Sequence, residues 1–170
     1  IVLDAGYMAI DGIVDDLKGT DLTLSAWIKT TQSGEGNVFA ANDSDSGHPL
    51  QFGISGGNVW RNDGGGAQYP PRVNDDQWHM ITFVRGGATA TVYRDGVQVG
   101  AYTSTFSLTT VTRWSIGQEW DGTSPSDFYA GAVDDVRVYS RGLTPDEVAA
   151  LVRADPAQAW KPSPGNNATV

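Results

Sequence analysis

The side chains in this sequence that can do chemistry are carboxylates and two histidines, and they are grouped unevenly. The chain has no cysteine, which removes disulfide frameworks, thiol nucleophiles and thiolate zinc sites together. His48 and His79 are the only histidines, so a multi-histidine metal cluster is excluded. One acidic segment is Asn42-Asp-Ser-Asp-Ser-Gly47, where Asp43 and Asp45 fit the first two ligand positions of an EF-hand loop. The sixth position of that frame is His48 instead of glycine, and the twelfth is Ile54 instead of glutamate. The segment is therefore no EF-hand; it is either a solvated loop or a simpler oxygen site for calcium. His48 either lines that site or sits on the surface. His79 lies between Trp78 and Met80 and alternates with Ile81 and Phe83, the pattern of a core or near-core histidine. No serine and carboxylate are arranged around it, so a hydrolase triad is not supported.

Short strands must position these groups. Leu22–Ile28, Leu50–Ser55, His79–Val84, Ala90–Arg94, Trp114–Ile116 and Ala132–Tyr139 read as strands by apolar alternation. Gly56-Gly57 reads as a two-residue turn from Leu50–Ser55 into Asn58–Arg61. Asp95-Gly96 joins Ala90–Arg94 to Val97–Val99, supplying the positive φ angles of a type I′ turn. One helix stands out. Thr144-Pro-Asp-Glu147 is a capping box with proline at the first helical position, followed by the apolar stripe Val148, Leu151 and Val152. One short helix among many strands indicates an all-β sandwich.

Composition agrees. The 170 residues suffice for one domain, and 21 glycines against 11 lysines and arginines suit a fold rich in turns. A net charge of −9 repels a phosphate backbone and makes nucleic acid a poor partner. The same surplus suits a hard cation held by oxygen. No apolar run is long enough to span a membrane. Residues 156–170 have a Pro/Asn/Gly/Ala texture and read as a linker after a domain covering residues 1–155. The chain therefore reads as a piece excised from a longer protein.

Five motifs recur in a recognisable order: Ser25-Ala-Trp27, Asp75-Asp-Gln-Trp-His79, Tyr93-Arg-Asp-Gly96, Ile116-Gly117, and Gly131-Ala-Val-Asp-Asp-Val-Arg-Val-Tyr-Ser-Arg-Gly-Leu143 before the capped helix. Together they resemble the laminin-G-like jelly-roll domains of the concanavalin A-like lectin/glucanase superfamily. The resemblance implies two stacked antiparallel sheets, one of them concave, and commonly a structural calcium. It does not select a ligand, because the fold hosts lectins, adhesion modules and glycanases alike.

Asp134 alternates with Val136 and Val138, which places it on the apparent core side, where an unpaired carboxylate is costly. The resemblance implies that it holds calcium with the N-terminal strand, bringing Asp4 or nearby carbonyls close. Two alternatives stay open: a bulge turns Asp134 outward, or Arg137 or Arg141 pairs with it. The glucanases of the superfamily carry acids on alternate residues of one strand with a further glutamate beyond. Here Glu119-Trp-Asp121 is followed by Gly122 and Thr123, so the third acid is missing and catalysis is not expected.

The resemblance assigns Trp27 and Trp78 to packing, and Trp114 shares a face with Ile116. Trp160 lies in the tail. Pairing Ser55 with Asn58 sets Gly53 opposite Trp60, which puts Trp60 on the non-core face as an open aromatic platform. The same register forces Arg61 to the core side opposite Phe52; a slipped register would bury Trp60 instead. Trp120 sits in the polar segment Gly117–Asp127 and is either a ligand contact or folded onto its own loop. The expected ligand contacts are Trp60, Trp120, Gln118, Tyr69 and His48, and the expected metal ligands are Asp134, Asp4, Asp43 and Asp45. The expectation is a non-catalytic module of a bacterial extracellular or surface protein that binds calcium and a glycan, with an adhesion or spacer module as the rival.

Overall fold

The computed structural model describes residues 1–19, 21–43 and 47–153. In chain order the strands are β1 (Val2–Leu3), β2 (Met8–Ala9), β3 (Leu22–Lys29), β4 (Gly36–Asn42), β5 (Leu50–Ser55), β6 (Asn58–Asn62) and β7 (Ala67–Tyr69). They continue with β8 (His79–Gly86), β9 (Thr89–Arg94), β10 (Val97–Thr103), β11 (Arg113–Ile116), β12 (Glu119–Asp121), β13 (Ser124–Ser126) and β14 (Gly131–Tyr139). The helix α1 is Pro145–Arg153. Two six-stranded sheets form, ordered β1-β14-β3-β8-β9-β10 and β2-β11-β4-β5-β6-β7, with β12-β13 as a separate hairpin. This is the antiparallel jelly-roll sandwich expected, with its one short helix.

Between the sheets lies a core that includes Leu24, Ile28, Phe39, Leu50, Phe52, Ile54, Ile81, Phe83 and Trp114, all essentially without solvent contact. Phe39, Phe52, Phe83 and Phe106 touch in series, with centroids 5.6–6.4 Å apart. Each fully buried side chain of this size contributes about 1.5–3 kcal/mol. The turns form as their residues require. Gly56 and Gly57 have φ of +61° and +76°, and Asp95 and Gly96 have +51° and +77°.

A second, smaller apolar cluster closes the outer face of the first sheet. Trp27, Met80, Val84 and Tyr93 meet Leu143 and Val148, with Leu151 and Val152 of α1 packed against them. The capping box forms as read: the Thr144 amide donates to Glu147 Oε2 at 2.8 Å, and the Glu147 amide donates to Thr144 Oγ1 at 3.3 Å. Trp78 departs from expectation. It is 38% exposed, because it precedes β8 and lies outside the ladder that carries Met80 onto Trp27.

β4 was not legible by alternation. All seven of its residues are buried, and an irregularity between Asn37 and Phe39 breaks the period. It puts Val38 and Phe39 both in the core. A bulge also decides Asp134. The ladder between β14 and β3 shifts between Asp134 and Arg137, with Asp135 at φ +46°. Asp134 consequently pairs with Trp27 on the outer face, away from the core side. Arg137 bonds Asp135 Oδ1 at 2.7 Å, leaving Asp134 to accept from the Asp135 amide at 2.9 Å.

Candidate functional site

The outer face of the second sheet is built of small and amide-bearing residues. Register sets Ala9, Ser115, Ala40, Gln51 and Asn62 in one row and Asn37, Gly53, Trp60 and Gln68 in the next. Asn62 Nδ2 donates to Gln51 Oε1 at 2.9 Å. Most of this face is nevertheless buried; over β4 the chain doubles back after β11. Ser115 Oγ donates to the Gln118 carbonyl at 2.8 Å. The β12-β13 hairpin then meets β4 through Asn42, whose Nδ2 donates to the Trp120 carbonyl at 3.1 Å and to Glu119 Oε2 at 3.3 Å.

Under this hairpin the titratable groups converge. Glu119 is 1% exposed. Its Oε2 lies 2.6 Å from His48 Nδ1, and its Oε1 accepts from Ser126 Oγ. His48 Nε2 is 3.7 Å from Asp121 Oδ1. His48, Glu119 and Asp121 are the one group of three metal-capable side chains brought together among the described residues. Glu35 belongs to the same neighbourhood: burial, with the charges of Asp127 and Glu119 nearby, pushes its carboxyl above the ordinary range, and His48 opposes this. At the rim, Trp120 makes an edge contact with the exposed Tyr7, centroids 5.5 Å apart. The Arg113 guanidinium lies over the Trp120 ring at 4.9 Å and donates to the Gly122 carbonyl.

Several expected positions move. Trp60 stands opposite Gly53 as the register required, yet it is only 7% exposed and is no open platform. The glycine segment 64–66 returns beside it, so that a Cβ on Gly66 would lie 3.3 Å from the indole nitrogen. Arg61 does lie on the core side. It is accommodated by an ion pair with Asp63, by the Tyr102 ring 3.7 Å from its carbon, and by the Tyr69 hydroxyl. Tyr69 pairs with Val59 on that same side and packs half-buried against the main core, away from the hairpin. Gln118 and His48 both reach the site, as does Trp120, half-buried against Tyr7.

Asp4 and Asp134 do not converge. Leu3 pairs with Gly131 and Val2 with Ala132, so Asp4 runs toward Ala130 while Asp134 lies about 13 Å away along the strand. Asp43 closes its own turn by accepting the Gly47 amide at 2.7 Å. Asp45, Trp160 and the segment 156–170 lie outside the described residues. His79 has the satisfied ring expected of it, with Nδ1 2.9 Å from Asp95 and Nε2 3.1 Å from Asp75. Glu35, Asn37, Asn42 and Tyr7 were not singled out from sequence. The first three lie on or beside β4, the strand whose alternation is broken.

A family model described as the concanavalin A-like lectin/glucanases superfamily matches residues 4–149. No curated protein sequence matches the chain. Among solved structures, CBM40 of the IT-sialidase from Ruminococcus gnavus, bound to α2,3-sialyllactose, superposes with a TM-score of 0.77 at 14% identity. The match covers 89% of this chain and 95% of that one. NanB sialidase from Streptococcus pneumoniae gives 0.72 at 16% identity over 88% of this chain, which spans 26% of that longer one. Domain 4 of AbnA, an extracellular arabinanase from Geobacillus stearothermophilus in complex with arabinotriose, gives 0.63 at 20% identity. That match covers 78% of this chain and 66% of that one.

Proposed function

The chain belongs to the concanavalin A-like lectin/glucanase superfamily, and from that premise we propose that it is a non-catalytic carbohydrate-binding module of a larger bacterial extracellular protein. The observation that carries this reading is the polar rim where the β12-β13 hairpin meets β4, with His48 and Trp120 half-buried there and Tyr7 and Asp121 exposed. Amides, a histidine, carboxylates and an aromatic rim are gathered there by one hairpin. Hydroxyl groups both donate and accept, and such a rim answers both. The folds of the sialyllactose and arabinotriose complexes support the same reading.

Catalysis is disfavoured by the acids themselves. Glycoside hydrolysis needs two carboxyl groups that flank the scissile bond. Glu119 is buried with both oxygens engaged by His48, Asn42 and Ser126, while Asp121 is largely exposed. The two offer no matched pair.

A calcium ion forms part of the proposal, at a changed place. Asp4 with Asp134 does not fit a single ion. The group brought together is His48, Glu119 and Asp121; its two carboxylates would supply the oxygen that calcium prefers, Glu119 giving up its contact with His48 to do so. Asn42 already directs its amide nitrogen at Glu119 and the Trp120 carbonyl. Turned over, that amide would present oxygen to the ion instead. Bound calcium would supply a positive charge to which sugar hydroxyls coordinate.

A glycan array run in calcium and again in chelator tests the reading. Retention of at least one glycan class is expected, stronger in calcium. Retention of none, together with release of reducing sugar from any polysaccharide, would replace a binding module by an enzyme.

A further inference from the structure

Away from the hairpin, β6 and β7 are joined through Gly64-Gly65-Gly66, and between this turn and the end of β10 lies an open cleft of about 340 Å³. That volume is within the range of small-ligand sites. Its floor is an ion pair. Asp63 is buried and fully engaged: one carboxylate oxygen accepts from Arg61 Nη1, and the other from the hydroxyls of Tyr102 at 2.7 Å and Ser104 at 3.0 Å. Arg61 is not fully engaged. Its Nε donates to the Tyr69 hydroxyl at 3.2 Å and its Nη1 to Asp63 and the Gly65 carbonyl, but Nη2 has no partner among the described residues. That nitrogen is not among the atoms sealed from solvent, so it reaches the cleft that Arg61 lines. The Tyr102 ring, 3.7 Å away, supports the guanidinium from one side.

We infer that this cleft is a second sugar-binding site, which takes a neutral, hydroxyl-rich unit of a glycan. The inference rests on the carbohydrate-binding reading and adds a site to it. Three features of the lining converge. The guanidinium presents the N–H donors of Nη2 already fixed in place, so little ordering is lost when an acceptor arrives. The exposed hydroxyls of Thr103 and Thr105 make no hydrogen bond among the described residues, and each can donate and accept. The turn carries no side chain, and a Cβ on Gly64 or Gly65 would meet nothing, so a ring can lie close against its backbone.

Other ligand classes fit the same lining less well. An apolar ligand would find glycines, threonines and an ion pair there, with the Tyr102 ring already covered by Arg61. An anion would meet a guanidinium whose charge Asp63 cancels. No other charged side chain among the described residues lines the cleft, and the chain as a whole carries −9. A neutral sugar with neighbouring hydroxyls supplies acceptors to Nη2, and both donors and acceptors to the threonines. Asn42 ends β4, Asp63 follows β6, and only β5 lies between them. These residues stand roughly 10 Å apart across the sheet, placing both sites at one end of the sandwich, within reach of one glycan chain.

Amide-resolved NMR titration tests the inference, with arabino-, xylo- and gluco-oligosaccharides and any other neutral glycan retained on the array. Two groups of signals should move: Trp120 and Asp121 at the hairpin, and Gly64, Gly65 and Gly66 with Thr103 and Thr105 at the cleft. In Trp120→Ala the cleft group should still move. Thr103→Ala combined with Thr105→Ala, both at exposed positions, should weaken the cleft response several-fold, the worth of the lost hydrogen bonds, and spare the hairpin response. Arg61→Lys keeps a charge against Asp63 but withdraws Nη2, and should weaken the cleft response at least as much. Glycine and threonine amides that stay still while the hairpin signals move overturn the inference and leave the carbohydrate reading intact. A cleft response unaltered in both the threonine and the Arg61 variants overturns it too. Retention of no glycan by the wild-type protein removes the carbohydrate reading, and the inference with it.

Discussion

The two outer faces of this sandwich are closed in opposite ways. On the first sheet, Trp27, Met80, Val84 and Tyr93 are covered by α1 through Val148, Leu151 and Val152. On the second, the β12-β13 hairpin lies against β4, tied to it through Asn42, and brings Glu119 beneath it, while the amides of Asn37 and Gln118 stay without a side-chain partner. An apolar cover adds stability in proportion to the area it removes from water. A polar cover with unmet hydrogen bonds subtracts from it. Stability is thus concentrated on one face and recognition on the other, and the helix side can be read as the support that lets the hairpin side remain unsatisfied.

The largest effect that tests this division is Met80→Ala. Met80 is buried between Trp27 and the helix, and its truncation should cost about 2–5 kcal/mol, or roughly 5–15 °C in Tm by calorimetry. Glycan affinity measured well below that Tm should not move; a parallel loss would mean the faces are coupled. The complementary change, Trp120→Ala, should weaken glycan binding several-fold, an aromatic contact being worth about 1 kcal/mol. Titration calorimetry measures it, and unchanged affinity would remove the aromatic rim from the site.

Thr144→Ala probes the helix cover more gently. Losing the N-cap oxygen should cost about 0.5–2 kcal/mol, visible as a lowered urea midpoint with binding unaffected. The smallest effect is acid release of the same cap. The bidentate Arg141 guanidinium and the Thr144 amide hold the Glu147 carboxyl down at about 2, against an ordinary 4.5. A depressed carboxyl contributes stability above its unfolded value, and that contribution is lost as pH falls from 4.5 toward about 2. Glu147→Gln should flatten this part of the Tm profile. Because the pair is exposed, the change is small, and a profile identical to wild type would show the pair contributes nothing.

Sequence carried most of the architecture but less of the site, and the reasons are local. The hairpin register that opposes Gly53 to Trp60 followed from a two-glycine turn, and the helix start followed from its capping box. Both are decided by residues adjacent in the chain. The exposure of Trp60 was decided by the segment 64–66 folding back, and alternation says nothing of that. Asp134 went to the wrong face because one extra residue in a bulge reverses every side chain beyond it. β4 was missed for the same kind of irregularity, and Asn37 and Asn42 were missed with it. Glu119 and Asp121 were read only as two acids of a catalytic set whose third is missing, because their meeting with His48 depends on two segments some 70 residues apart coming together.

Arg61, turned inward against Tyr102, has a bearing on how the sandwich is fastened at one end. β10 and β7 are edge strands of their two sheets, and they come together where Tyr69 packs on Gly100. Arg61 stands one strand in from that rim, and its partner Asp63 also accepts from the hydroxyls of Tyr102 and Ser104 at the end of β10. One buried ion pair thus acts as a clasp between the two sheets, and removing one half of such a pair leaves the other charge uncompensated. Arg61→Leu should therefore lower the melting temperature in calorimetry, and an unchanged value would show that Tyr102 and Ser104 hold Asp63 without it.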